Sequence, residues 1–258
     1  MSARRARPRA HARREREARI RRARRLALLT LLGSVLLAVS LLTAFSGGGE
    51  PQLDPAPAKA ARLLPAGTPK PEVVAIYGRL RLQMPIPQSR VTAIGFAPGD
   101  QGTLALSPVG TQANRSVFAR LWHKLVGGDT PGARWYQLPG GTGAPTSALD
   151  VGAAPGTDVY SPVDGTIIGM TDLVLNGKSY GQKIEIQPAE APSIVVVVSH
   201  LAADTSLSVG SAVVAGVSKI GTLLDFSSVE RQALAQFTQD SGNHALIEVH
   251  PAATLALS

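Results

Sequence analysis

From residue 72 onward the apolar residues come in short runs, broken every few positions by Gly, Pro, Asn or Asp. Runs of this kind, rich in Val, Ile and Thr, predict strands. They fall at Arg90–Phe96, Gly102–Leu106, Asp158–Tyr160, Gly165–Met170, Gln182–Gln187, Ile194–His200, Ser211–Val214 and Ala245–His250. Asp164-Gly165 and Asn176-Gly177 supply tight turns, because Gly reaches positive φ without steric cost. Ile194–Val198 is apolar at every position, which predicts a strand covered on both faces. Two stretches follow the helical period instead. In Asn114–Val126, Val117, Phe118, Leu121, Trp122 and Leu125 recur at helical spacing. In Ser227–Phe237, Ser227 and Glu230 have capping-box spacing, with Val229, Ala233, Leu234 and Phe237 along one side. The expected fold class is mainly β, an antiparallel sandwich or barrel with inserted helices.

The N-terminal pattern is different. Leu26–Phe45 carries no charge over twenty residues. As a helix it would be about 30 Å long, the thickness of a bilayer's hydrocarbon core. Residues 1–25 hold twelve Arg against Glu15 and Glu17. Such a cluster stays cytoplasmic, so the expectation is a single-pass anchor in the cell membrane, with the C-terminal domain extracytoplasmic. The alternative is a cleaved signal, for which Ala44-Phe45-Ser46 has the small-x-small form. Residues 46–71 are rich in Pro, Ala and Gly and cannot bury a core, so they read as an extended spacer. Residues 72–258 make the folded domain.

Charge and composition narrow the chemistry. The 258 residues carry a formal +8, yet outside the first 25 there are 14 Lys+Arg against 16 Asp+Glu. The body is nearly neutral, so the high charge gives no ground for a nucleic-acid partner. With no cysteine, a disulfide scaffold, a thiolate metal site and a cysteine nucleophile are all excluded.

The motifs sit between Leu149 and His250: LDVGAAPGTDVYSPVDGTIIG (149–169), YGQKIEIQ (180–187), VVSHL (197–201), VGSAVVAGVSKIG (209–221) and GNHALIEVH (242–250). In order and spacing they resemble peptidase family M23, the LytM or lysostaphin-type zinc endopeptidases that cut peptide cross-links in bacterial peptidoglycan. PIPQSRVTAIGF (85–96) is similar to that family's strand before the first metal ligand, which makes residues 97–145 an insertion. The resemblance implies three zinc ligands, an open position for water and two catalytic histidines. The first motif, His-x-x-x-Asp, reads TSALD, so Asp150 is kept and Thr146 stands in the His position. The last, His-x-His, reads HAL, with His244 kept and Leu246 in the ligand position. His200 in VVSHL matches the other catalytic histidine. Two of three ligands are missing, so the resemblance is to a degenerate member, with no cofactor expected and zinc kept as an alternative.

Other residues compete for roles. His250 lies on the face of Leu246 but about 13 Å further along a strand, and His123 lies in the insertion. Tyr160, with Asp150, Thr146 and Leu246, is a candidate groove residue, against a reading as packing. Asp150 could instead anchor a turn before Gly152. Trp135 and Tyr136 are candidates for an exposed patch, and Trp122 for the core of the inserted helix. His200 and His244 read either as proton carriers or as hydrogen-bonded groove residues. Three functions follow. The first is a non-catalytic, anchored domain that binds peptidoglycan or regulates or scaffolds an envelope protein. The second is an active zinc endopeptidase with atypical ligands. The third is a carrier domain modified at Lys219, which lacks the neighbours such a lysine has.

Overall fold

The computed structural model describes residues 67–114, 132–175 and 177–255. The chain divides into Met1–Gln52 and Leu53–Ser258, and every described residue lies in the second unit. The span Leu26–Phe45, His123 and Trp122 fall outside the described residues, as does the expected helix beyond Asn114. Among the described residues no helix is long and apolar enough to cross a membrane.

The described part is mainly β. Strands β1 (Val73–Tyr77), β2 (Leu80–Gln83) and β4 (Ser107–Pro108) form a small antiparallel sheet. The large sheet runs in the order β12 (Ala212–Val213), β9 (Gly165–Leu175), β10 (Lys178–Pro188), β11 (Ile194–Ala203), β14 (His244–Pro251), β7 (Ala148–Gly152), β3 (Ile94–Ala97), β6 (Arg134–Gln137) and β5 (Thr111–Gln112). Strand β13 (Lys219–Leu223) pairs with β11 and with β8 (Asp158–Tyr160).

One face of the large sheet is the core. Along β14, Ala245, Ile247 and Val249 are fully buried, as period-two alternation requires. They join Phe96, Leu149, Val151, Ile167, Ile184 and Ile186 from neighbouring strands and Leu82 and Ile86 from the N-terminal hairpin. The opposite face carries the candidate site. Ile194–Val198 of β11, between β10 and β14, are all buried.

Several expectations need correction. The large sheet is mixed, because β3 and β6, and β5 and β6, pair in parallel. Within residues 97–145, β5 and β6 join that sheet. Gly102–Leu106 forms no strand. Gly102 turns at φ +91, and the Leu104 and Leu106 N–H groups donate to Val249 O and Thr146 O, two different elements, so no ladder forms. The expected strand at Arg90 begins only at Ile94, after a single 3₁₀ turn over Gln88–Arg90. The expected helix 227–237 is also absent. The Ser227 hydroxyl and N–H both donate to Asp225, and Gln232 is extended at φ −74 and ψ 126. Only Ala233–Gln236 turns, as 3₁₀, with Leu234 fully buried. Trp135 is no surface patch. It is 9% exposed and packs edge-on against Phe96, with ring centroids 5.2 Å apart.

Candidate functional site

Strand register puts Asp150 at the centre of the non-core face. On β7 it lies opposite Leu246 of β14 on one side and Gly95 of β3 on the other. It sits mid-strand, so it anchors no turn. Leu246 in turn lies opposite Ser199 of β11. His244 opens β14 opposite Gly152.

The backbone of β11 forks next to these residues. Ile194–Ser199 pair with β14, whereas Leu201–Ala203 pair with β13. The residue at the change of partner is His200, with φ +66, where no other described residue except glycine has positive φ. An extra residue also enters β11 here relative to β10, a bulge that re-aims the side chain. The His200 ring is consequently set 4.9 Å from the His244 ring, edge to face, and 4.3 Å from Phe226. Left-handed backbone in a branched or ring-bearing residue is strain that the surroundings must hold.

His244 is buried, and its Nδ1 lies 3.0 Å from Gly242 O. A carbonyl only accepts, so Nδ1 carries a proton, and Nε2 lies 3.7 Å from Asp150 Oδ1. That separation is too long for a hydrogen bond. Asp150 Oδ1 and His200 Nδ1 are both buried without a hydrogen-bond partner. Burial pushes the Asp150 carboxyl above its usual range; His244 pulls it back and Glu248 adds to the rise. Burial, then the charge of His244, lowers His200 to about 3, so its ring is neutral.

Whether this set can hold zinc follows from the other two positions. The Thr146 hydroxyl donates to Leu106 O at 2.7 Å, which turns it toward that carbonyl, and a neutral hydroxyl is not among the side chains that hold zinc. Leu246 has no lone pair. It packs with Tyr136, Ala233 and Phe237 against a cluster of Ala93, Ala97, Leu138, Ala148 and Leu234. Among the described residues no three His, Cys, Asp or Glu side chains converge on one point. The donors do not fit the three-ligand zinc site that the motifs imply. What remains is a neutral imidazole and a carboxyl oxygen, each open to a hydrogen bond.

His250 does not substitute. Its Nε2 lies 3.5 Å from Glu248 Oε2, and Glu248 also accepts the Asp100 N–H. Burial raises Glu248, but those two bonds and the nearby charges of His250 and Lys183 outweigh it, and its pKa falls. Tyr160 lies away from the pair, opposite Lys219 on β8, with its hydroxyl 3.5 Å from Gly67 O. Lys219 itself is paired with Asp158 at 2.6 Å. Asp164 accepts the Ala215 N–H, a turn role.

The site's remaining walls carry no motif. Phe226 covers His200. Leu234 lies against Gly95 and Gly152, where a Cβ would come within 3.0 Å and 2.7 Å of its methyl groups. Tyr136 stacks on Phe237 at 4.5 Å. The one sequence signal is the row of small residues, Ala93, Gly95, Ala97, Ala148 and Gly152, which alternate with large apolar ones.

Among protein-family models and curated proteins the chain has no match. Among solved structures it is similar to Helicobacter pylori Csd3, at 19% identity and a TM-score of 0.31, over 66% of this chain and 30% of that one. It is similar to pseudoalterin, an M23 metalloprotease from the deep sea, at 18% identity and a TM-score of 0.29, over 43% of this chain and 58% of that one. A third is the SpoIIQ–SpoIIIAH pore-forming complex, at 18% identity and a TM-score of 0.27, over 42% of this chain and 68% of that one. The chain thus spans well under two thirds of the first two. The solved structures it is similar to include M23 peptidases, the family its motifs resemble.

Proposed function

We propose that this chain is a membrane-anchored, extracytoplasmic M23-like domain of the bacterial cell envelope. In this reading Leu26–Phe45 is the anchor, residues 46–71 the spacer, and the groove around Asp150, His200 and His244 binds without cutting. Its ligand is peptidoglycan peptide or an extended segment of an envelope protein. One observation carries the reading: the positions that should complete a zinc site hold a hydroxyl bonded to Leu106 O and an apolar side chain in a packed cluster. Without the ion there is no activated water, so no hydrolytic step is assigned. The groove keeps hydrogen-bonding atoms that a peptide backbone can meet.

Two measurements test it. Metal-stripped protein titrated with zinc in a calorimeter gives no stoichiometric heat at micromolar concentration. Uptake at one equivalent overturns the reading. The protein mixed with insoluble peptidoglycan sediments with it if the glycopeptide is the ligand, and stays in solution if a partner protein is.

A second reading has its own support. Asp150 Oδ1 and His200 Nδ1 are buried without partners, as atoms awaiting a bound group are. An active endopeptidase with atypical ligands would release muropeptides, stop with chelator, and lose activity in His244→Ala.

A further inference from the structure

The chain joins β13 to β14 by a loop, residues 225–243, that crosses the face carrying Asp150. Its two ends are clasped: the Phe226 N–H donates to Asn243 Oδ1 at 2.8 Å, and Asn243 Nδ2 donates to Asp225 and Ser241. Between the ends the loop bonds to itself. The N–H groups of Val229 and Glu230 go to Phe226 O, that of Ala235 to Gln232 O and that of Phe237 to Leu234 O. Ser227, Gln232 and Thr238 side chains also bond within the loop. Among the described residues, no backbone–backbone hydrogen bond joins 227–241 to a strand. What holds the loop down is apolar: Leu234, fully buried over Gly95 and Gly152, Ala233 beside it in the same cluster, Phe237 stacked on Tyr136, and at the clasped end Phe226 against the His200 ring.

A segment that is hydrogen-bonded internally, clasped at its ends and attached to the sheet between them through apolar side chains alone can lift as a unit. No backbone bond to the sheet has to break. Leu234 lies over the neighbours of Asp150, since Gly95 is its cross-strand partner and Gly152 follows it on the same face. Leu246, the other cross-strand partner, packs against the same cluster.

We propose that residues 225–243 are a closed lid, latched by Leu234 and Phe237, that opens about its clasped ends. Opening bares the Asp150–Leu246 face, whose unpartnered carboxylate oxygen suits a ligand offering an N–H or ammonium donor. What the lid gates rests on the binding role proposed above. The gating itself is tested without ligand, so the two ideas fail separately.

The absence of native cysteine makes a thiol reporter unambiguous. In the full chain held in detergent micelles, Ala93→Cys places a thiol in the cluster under the lid, and Val196→Cys places one in the main core. Each is alkylated with iodoacetamide at increasing low urea. A lid predicts that Cys at 93 reacts at least about 100-fold faster than Cys at 196, with little urea dependence, because little surface is exposed on opening. Adding Leu234→Ala then speeds labelling at 93 by about 30-fold or more. Equal rates with equal urea slopes at both positions overturn the proposal, as does labelling at 93 that ignores Leu234→Ala. Ala97→Cys, in the same cluster, replaces Ala93→Cys if that variant does not fold.

Discussion

The backbone at His200 offers a clean test of how the site is held. An L-residue in the left-handed region costs roughly 1–2 kcal/mol, while glycine enters it freely. His200→Gly and His200→Ala both delete the ring, with its contacts to Phe226 and His244 and its unpartnered Nδ1. The losses common to the two variants cancel in their difference. What remains is the Cβ at φ +66, offset by glycine's larger entropy loss on folding, about 0.5–1 kcal/mol in an extended strand. The glycine variant should therefore be the more stable by about 1 kcal/mol. Urea unfolding of the full chain in micelles, followed by tryptophan fluorescence with Trp135 buried against Phe96, resolves a difference of this size. If His200→Ala equals or exceeds His200→Gly, the left-handed fork carries no strain and the account of how β11 aims this ring is wrong.

Three further outcomes follow from the same atoms. His200 titrates at about 3 when folded against 6.5 as a free side chain, so the unfolded chain takes up the proton first. Its contribution is present above pH 6.5 and is lost as the pH falls toward 3, by up to about 4–5 kcal/mol. His200→Asn, which tolerates left-handed backbone, should flatten stability over that window; an unchanged acid limb would exclude His200 as its source. Asp150 shifts the other way, its folded pKa being raised by burial. Its ionised form thus weakens the fold as pH rises through that pKa, and Asp150→Asn should raise the thermal midpoint at pH 8 but not at pH 3. A drop at pH 8 would mean that the charged pair with His244 outweighs the burial cost. Thr146→Val removes the 2.7 Å bond to Leu106 O at nearly constant volume. It should cost about 1–2 kcal/mol in urea unfolding; no loss would show that this hydroxyl is free to serve a site after all.

The strands that alternate or run apolar were legible because period two is a local property of the chain. Ile194–Val198 needed both faces covered, and all five residues, which alternate between the two faces, are buried. Where local signals competed with distant ones, sequence reading went astray. Ser227 and Glu230 have the spacing of a helix cap, yet Asp225 takes the Ser227 hydroxyl, and Leu234 is drawn onto Gly95 and Gly152, far away in sequence. Trp135 follows Arg134 in a polar stretch, and only parallel pairing of β6 with β3 turns it against Phe96.

The residue types at Thr146, Asp150, His200, His244 and Leu246 are read directly from the chain, and with them the chemistry each position can supply. A leucine cannot coordinate, wherever it folds. What those residues do to one another came from folding. It put Asp150 and His244 on adjacent strands, turned His200 toward them through a left-handed bulge, and sent Tyr160 to another part of the sheet. It also laid Leu234 over Gly95 and Gly152, beside Asp150 on the same face. Contacts of that kind join segments tens of residues apart, and they depend on which distant strands become neighbours, which the period of a single strand does not encode.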